Sequence, residues 1–307
     1  MSLGRVLLVD DEPDLVEVLG EFLEEEGFEV KTASDGLDAL SFLEKDSRFD
    51  LLLSDINMPR MKGFELIAAV KEKYPSLKNA LITAYDVNSY IELAKIHNVG
   101  NIIAKTSPFN FKDFLIQVKS LVTGDIFGIE KHFEAHVQRE TLSITHSTEI
   151  ENIIQNLFNR MKDHPRVARV RTALRELIVN AVYYGAKNED GAKKEEWDLS
   201  VALQPDEYVY VNFMVDQDKV GISIVDQKGR LKKADVLYWL ERNIVRDTET
   251  GLVKSLNDEH GRGLFISREF IDSFIVNIER GKITEIILLS YFAEKYKGFK
   301  PLIINEL

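Results

Sequence analysis

A handful of residues in the first third of this sequence have the right types and spacing to do chemistry. Asp10, Asp11 and Glu12 stand together at the end of one short apolar run. Asp55 ends another such run, Thr83 ends a third, and Lys105 follows a fourth. Acids gathered at one place repel each other unless a hard cation sits among them. Mg²⁺ suits that setting, because it takes oxygen ligands and keeps several waters. Thr83 adds a hydroxyl donor and Lys105 a fixed positive charge. A carboxylate nucleophile, a Mg²⁺, a hydroxyl and an ammonium are the parts needed to move a phosphoryl group onto a carboxylate. Each residue alone reads as an ordinary polar residue in a loop. Together, on strands that share one edge, they read as a site.

A second set lies further along. Glu176 and Asn180 are four apart, which puts both on one face of a helix. Leu174, Leu177, Ile178 and Ala181 supply that helix with an apolar stripe. Alone, the polar pair is a solvated helix face. Asp226 then ends an apolar run, with Gly229 three residues later, and Gly261-Arg262-Gly263-Leu264 opens another helical segment. Glycines at a helix N-terminus let backbone N–H groups face a phosphate, and the helix dipole favours the negative charge.

The elements that must position the first set are legible. Apolar runs at Arg5–Asp10, Phe28–Ala33, Asp50–Asp55, Asn79–Thr83 and Asn101–Ala104 have the length and composition of buried parallel strands. Helical spacing separates them: Leu15, Val18, Leu19, Phe22 and Leu23 before Gly27, then Gly36–Glu44, Gly63–Tyr74, Val87–Asn98 and Phe109–Val122. Five strands alternating with five helices predict a doubly wound α/β domain over residues 1–122, with the strand C-termini on one edge.

Residues 123–140 are expected to be a linker. The rhythm then changes over 141–307. A strand is predicted at Thr141–Ile144, helices at Ser147–Lys162 (capped by Ser147) and Val167–Tyr184, and strands at Trp197–Gln204, Tyr208–Asp216 and Val220–Asp226. Lys232–Glu241 reads as a helix and 242–260 as polar and irregular. Gly263–Ile271 opens a helix, and strands follow at Phe274–Glu279 and Glu285–Tyr291. Helices first and strands later predict an α+β sandwich. The basic and apolar tail from Lys295 has no assigned role.

Composition bounds the partners. The 307 residues are 45% hydrophobic and 29% charged, with a net charge of -12. That excess argues against general binding to nucleic acid or anionic membrane. No basic recognition helix is visible, and no apolar run reaches bilayer-spanning length. The absence of cysteine excludes disulfides and thiolate chemistry. The N-terminus lacks the features of a signal peptide, so a cytoplasmic protein is expected.

Residues 4–122 resemble a response-regulator receiver domain. The run Asp55-Ile56-Asn57-Met58-Pro59-Arg60-Met61-Lys62-Gly63 is similar to that family's phosphoacceptor loop, and the acidic pair, Thr83-Ala84 and Lys105 also match. The resemblance implies that Asp55 accepts the phosphoryl group from a cognate sensor histidine kinase. It implies that Asp11, Asp55 and the Asn57 carbonyl bind Mg²⁺ with help from Asp10, and that Thr83 and Lys105 contact phosphoryl oxygens. Two departures stand out. Ile102 occupies the usual aromatic switch position, and Lys105-Thr106-Ser107-Pro108 replaces the usual Lys-Pro. Switching is therefore expected to run through the fourth helix, Tyr85 or the Pro108 loop.

Residues from about 140 to 294 resemble the GHKL ATPase superfamily, and within it the anti-sigma-factor serine kinases. Glu176-Leu177-Ile178-Val179-Asn180-Ala181, then an aromatic pair and Gly185, carry that likeness. So does His260-Gly261-Arg262-Gly263-Leu264-Phe265-Ile266 with Asp272. The resemblance implies ATP binding with Mg²⁺ completed by Asn180, Glu176 as general base and Asp226 on the adenine amino group. Gly229, Gly261, Arg262 and Gly263 would line the nucleotide, under a mobile lid at 230–260. Asp226-Gln227-Lys228-Gly229 departs from the usual Asp-x-Gly-x-Gly. A sensor kinase is disfavoured, since about 20 residues between the domains leave no room for a phosphoacceptor hairpin. His132, His136 and His146 read as surface linker histidines.

Two functions follow. One is a phosphorelay response regulator controlling a serine/threonine kinase in a partner-switching pathway, with an anti-sigma antagonist or sigma-type protein as target. The other is a non-catalytic phospho-switch whose degenerate ATPase fold only binds a partner protein. A homodimer is plausible in either.

Overall fold

The five N-terminal apolar runs form strands β1 (Arg5–Val9), β2 (Glu29–Ala33), β3 (Leu51–Asp55), β4 (Lys78–Thr83) and β5 (Asn101–Ala104). All pair in parallel, in the order β2-β1-β3-β4-β5. The computed structural model describes residues 2–134, 137–188, 200–247, 250–256 and 261–307. It divides into two units, Met1–Ile126 with Tyr296–Leu302, and Phe127–Lys295 with Ile303–Leu307.

In the first unit, β3 and β5 are buried along their whole length, as continuous apolar runs between two helix layers should be. Helices α1 (Pro13–Glu25), α2 (Gly36–Lys45), α3 (Gly63–Lys73) and α4 (Ile91–Ile96) make the crossovers, and α5 (Phe111–Thr123) follows β5. Their boundaries have local causes. Pro13 opens α1, the Asp35 carboxylate accepts from the N–H groups of Leu37 and Asp38 at the start of α2, and left-handed Gly124 stops α5. The single helix predicted over 87–98 is instead a 3-10 turn, Val87–Tyr90, followed by α4, because Asp86 caps the turn through Asn88 N–H. Val6, Leu8, Leu51, Leu53, Ile82 and Phe114 anchor the core on one face of the sheet.

Among the described residues the second unit has strands β6 (Gln138–Ile144), β7 (Val209–Val215), β8 (Lys219–Asp226), β9 (Ser273–Glu279), β10 (Ile283–Tyr291) and β11 (Leu302–Glu306). They lie in the order β11-β9-β10-β8-β7-β6, antiparallel except that β11 runs parallel to β9, so the sheet is mixed. Helices α6 (Ile150–Arg160), α7 (Val167–Asn180), α8 (Lys233–Ile244) and α9 (Gly263–Phe270) complete the unit, and α7 continues as a π turn over Ala181–Ala186. Alternate residues of β10 serve opposite faces. Ile287 and Leu289 pack with Ile275 and Ile303, while Ile286 and Leu288 face the other way and are equally buried.

Five expectations are corrected here. Residues 127–133 are not a free linker: Ile129 and Phe133 are buried in the core beside Met214 and Ile275. A side chain at Gly221 would collide with the Phe133 ring, and burying such a ring contributes roughly 2–3 kcal/mol. His132 is buried rather than exposed, whereas His136 lies outside the described residues. Ser147 is not the helix cap. His146 caps a 3-10 turn at Ser147–Glu149 by accepting from Thr148 N–H, and the Glu149 carboxylate accepts from Thr145 and His146 N–H. In the predicted strand at 197–204, residues 197–199 lie outside the described residues. The rest makes only one bridge, Ala202 to His146, because Pro205 starts a 3-10 turn. Finally, the tail ends in β11, a strand too short and too closely preceded by polar residues to show periodicity.

Candidate functional site

The parallel sheet delivers the first set of residues to one edge. Asp10 follows β1, Asp55 closes β3, Thr83 closes β4 and Lys105 follows β5. The Lys105 ammonium lies 2.7 Å from Asp55 Oδ1, 2.9 Å from Asp10 Oδ2 and 3.1 Å from Glu12 Oε1. Asp10, Asp55 and Thr83 are buried. Burial pushes the Asp55 carboxyl up, against the downward pull of Lys105. For Lys105 burial works downward, but hydrogen bonds to Asp55 and Asp10 outweigh it and raise its pKa. Two acids thus share one cation in a site poor in water.

The loop after Asp55 is fixed from several sides. Asn57 N–H donates to Asp55 Oδ2 at 2.6 Å, and Gly63 N–H donates to the Ile56 carbonyl at 3.0 Å. A side chain at Gly63 would overlap the Asp55 carbonyl, so only glycine lets α3 start so close. Arg60, at φ 62°, reaches back to the buried Asp35 and to Asp38. Sequence reasoning missed three of these contacts: Glu12 on Lys105, Arg60 on Asp35, and Asn57 Nδ2 donating to the Tyr90 hydroxyl at 2.6 Å. Arg60 stood inside the phosphoacceptor run, so its position was a usable signal; Tyr90 carried none.

The expected three-acid cluster is not assembled. Asp11 is exposed at the same strand end, lining a groove between α1 and β2. Among the described residues no three acidic or imidazole groups converge as a metal site. The Lys105 ammonium pairs with both Asp10 and Asp55. The two buried carboxylates and the adjacent Asn57 backbone are still a hard-oxygen donor set that fits Mg²⁺ with waters.

Residues 6–118 match the response regulator receiver domain family. They are a receiver domain. The chain is 28% identical over 187 residues to the haem response regulator HssR of Staphylococcus saprophyticus, covering 58% of this chain and 81% of that protein. It is 31% identical over 122 residues to the CpxR homologue of Haemophilus influenzae, covering 39% of this chain and 51% of that one. It is 37% identical over 101 residues to a receiver protein of Anaeromyxobacter, covering 33% and 42%. The chain therefore spans about half the length of the second and third of these relatives. Among solved structures, the response regulator TrrA of Thermotoga maritima, in complex with Mg²⁺ and beryllofluoride, is 35% identical. It covers 39% of this chain and 99% of its own, with a TM-score of 0.35. The chemotaxis protein CheY4 of Vibrio cholerae is 32% identical, covering 39% and 98%, with a TM-score of 0.36.

In the receiver, Ile102 is fully buried on β5 and Tyr85 is exposed, its N–H donating to Thr83 Oγ1 at 3.1 Å. The receiver match ends at residue 118, and the second unit must be read from its own residues. Glu176 and Asn180 do share a face of α7, and the backbone at Gly263 lies against both. A Cβ there would sit 2.9 Å from Glu176 Oε2 and 3.5 Å from Asn180 Nδ2. Asp226 is buried at the end of β8 and packs on Gly185. Burial raises its pKa, opposed by N–H donation from Lys228 and Gly229.

Other members of the second set have different duties. Gly229, at φ 55°, packs on the Glu279–Ile283 turn, where any side chain would meet backbone. It is a packing glycine and not an open nucleotide cradle. Gly261 lies under the Trp239 ring, and its carbonyl accepts from Asn243 Nδ2 at 3.1 Å. Arg262 donates to the Ser255 and Leu256 carbonyls at 3.4 and 3.0 Å, so its guanidinium is engaged within the protein. Lys228 pairs with Asp206 at 2.6 Å. Asp272 clamps Arg166 and accepts from Tyr291 N–H.

The expected lid is also different in its described parts. Helix α8 runs on to Ile244, Arg246 bridges to Val253, Lys254 pairs with buried Glu241, and Ser255 Oγ donates to Asn243 Oδ1 at 2.9 Å. Buried polar partners tie this segment down. His260 of the motif lies outside the described residues.

Proposed function

We propose that this chain is a phosphorelay response regulator in which Asp55 accepts a phosphoryl group from a sensor histidine kinase. The observation that carries this is Lys105, held between Asp10 and Asp55 at the receiver edge. One Asp55 oxygen forms the new P–O bond as the donor's P–N bond breaks. Lys105 then exchanges its Asp55 contact for a phosphoryl oxygen, and the Thr83 hydroxyl donates to another. Asp11, Asp55 and the Asn57 carbonyl, with help from Asp10, would hold Mg²⁺, which would supply charge neutralisation at the phosphoryl group. The expected test is labelling of the wild-type chain by a small phosphodonor with Mg²⁺, absent in Asp55→Asn.

The output reading rests on Glu176, Asn180 and Asp226 on one α+β unit. It is an ATP-binding domain that phosphorylates a serine or threonine on a partner protein, in the manner of anti-sigma kinases. Glu176 takes the hydroxyl proton, Asn180 holds the Mg²⁺ that ATP brings, and Asp226 accepts from the adenine amino group. ATP supplies the γ-phosphoryl group. Transfer of label from ATP to a partner, lost in Glu176→Ala with binding kept, is the supporting result.

A second reading is favoured by Gly229, Gly261 and Arg262, all engaged within the protein. In that reading the unit binds a partner without turnover. Calorimetry with Mg-ATP separates the two, since the second predicts no heat of binding. Both place the protein in the cytoplasm, and no helix among the described residues is long and apolar enough to cross a membrane.

A further inference from the structure

The two residues inserted after Lys105 and the tail with no assigned role meet each other. Ser107 and Lys297 form an antiparallel bridge with two backbone hydrogen bonds. Ser107 N–H donates to the Lys297 carbonyl at 2.7 Å, and Lys297 N–H donates to the Ser107 carbonyl at 3.0 Å. The next tail residue is Gly298, at φ 155°, where a Cβ would lie 3.2 Å from Thr106 Cα and Cγ2. Thr106 Oγ1 donates to the Pro108 carbonyl at 2.9 Å, closing the loop on itself. Tail residues Tyr296–Leu302 belong with the receiver unit. Immediately beyond them, Ile303–Glu306 pair with Ile275–Ile278 of β9 in the second unit.

We propose that the segment Tyr296–Leu302 is a positioning element of the phosphoacceptor site. It holds the Thr106–Pro108 loop and, through it, the backbone that aims the Lys105 ammonium. Lys105 is only two residues from the paired Ser107–Lys297 backbone, and its own N–H donates to the Thr83 carbonyl at 2.7 Å. It is therefore held on one side by β4 and on the other by the tail. When Lys105 leaves Asp55 for a phosphoryl oxygen, the loop that carries it must adjust, and the paired tail adjusts with it. The tail continues without a break into β11. By reciprocity, whatever alters the tail alters the affinity of the site by the same factor. This role would let an isoleucine stand at position 102, because the coupling runs through main chain and not through an aromatic rotamer.

The inference rests on the phosphoacceptor reading of Asp55, and the test keeps the two apart. Beryllofluoride with Mg²⁺ is titrated into the full-length chain, and amide exchange is followed at Ser107 and Lys297. Exchange at these two amides should change about tenfold on binding, a factor within the usual range of coupling between sites. Gly298→Ala, which crowds Thr106, should change beryllofluoride affinity by a similar factor. Lys295→Ala, which removes the Lys295–Asp218 ion pair, should leave the affinity unchanged. The exchange measurement needs no variant, so a misfolded Gly298→Ala does not decide the matter. If wild type binds beryllofluoride while exchange at Ser107 and Lys297 stays the same, the positioning role is wrong. If wild type does not bind it, the phosphoacceptor reading fails, and this inference fails with it.

Discussion

The two candidate sites differ in how their polar side chains are used. At the receiver edge, Asp10, Asp55 and Lys105 are paired mainly with each other. These ion pairs lie within the site, with Glu12 as a further partner of Lys105, so an incoming phosphoryl group can replace them. In the second unit the polar pair Glu176–Asn180 stands beside Gly263, but Arg262, Gly261 and Gly229 are spent on carbonyls, a tryptophan face and a turn. A site whose partners are its own members is poised to exchange them. A site whose members hold up the fold must break something to bind. Buried ionic groups are costly unless paired, which is why the first arrangement keeps Lys105 in place without a ligand.

The largest expected effect breaks the first half of that comparison. Lys105→Ala leaves Asp10 and Asp55 facing each other without their shared cation. Labelling by a small phosphodonor should fall by about 10²-fold or more, the usual cost of losing one preorganised charge on a transferring group. A rate within a few-fold of wild type would mean that the ammonium is a structural counter-ion only.

Two glycines sharpen the contrast next. Gly63→Ala and Gly229→Ala each place a Cβ against backbone, at Asp55 and at the Glu279–Ile283 turn respectively. Each should lose about 2–4 kcal/mol of stability, from overpacking and, at Gly229, a positive φ. Gly63→Ala should also impair Asp55 labelling, and Gly229→Ala should not. Urea midpoints alongside labelling rates measure both. Equal labelling in the two variants would remove Gly63 from the site's supporting frame.

A smaller effect separates residues within the second unit. Arg262 already has carbonyl partners, so Arg262→Ala should change Mg-ATP affinity less than threefold. Asn180→Ala should weaken it at least tenfold, about 1.4 kcal/mol. Calorimetry reads both, and a large loss with Arg262→Ala would show that the guanidinium leaves Ser255 and Leu256 when nucleotide arrives.

These differences track what was legible in the sequence. The parallel strands repeat a short apolar pattern, and their buried ends fall where Asp55 and Thr83 stand, so the receiver and its edge could be read directly. The Glu176–Asn180 spacing was readable for the same reason. What could not be read depends on distant contacts. Gly229 looks like any turn glycine until the β9–β10 turn is seen against it. The segment at 127–133 looks like a linker because Ile129 and Phe133 show no period, and their burial depends on space left by Gly221. Strand β11 is visible only through its partner β9. The pairing of Lys105 with both Asp10 and Asp55 also needed three dimensions.

The smallest expected effect concerns His164, which spacing did not single out. It is buried beside the Phe292 ring, with Nδ1 accepting from Arg166 N–H at 3.1 Å and Nε2 3.3 Å from the Ser290 carbonyl. Both ring nitrogens are thus satisfied in the neutral tautomer with the proton on Nε2. Burial lowers its pKa below the ordinary 6.5, helped by the nearby Arg166 and opposed by the Ser290 carbonyl and by Asp272. Because the folded value is the lower one, the unfolded chain binds more protons between the folded pKa and about 6.5. The stability contribution is therefore complete above about pH 6.5 and is lost as pH falls through that window. The urea midpoint of the wild-type chain should drop between pH 7.5 and pH 5.5. His164→Asn should flatten part of that drop while lowering stability at pH 7.5. An unchanged slope in the variant would assign the pH dependence to other groups and leave His164 a purely packing residue.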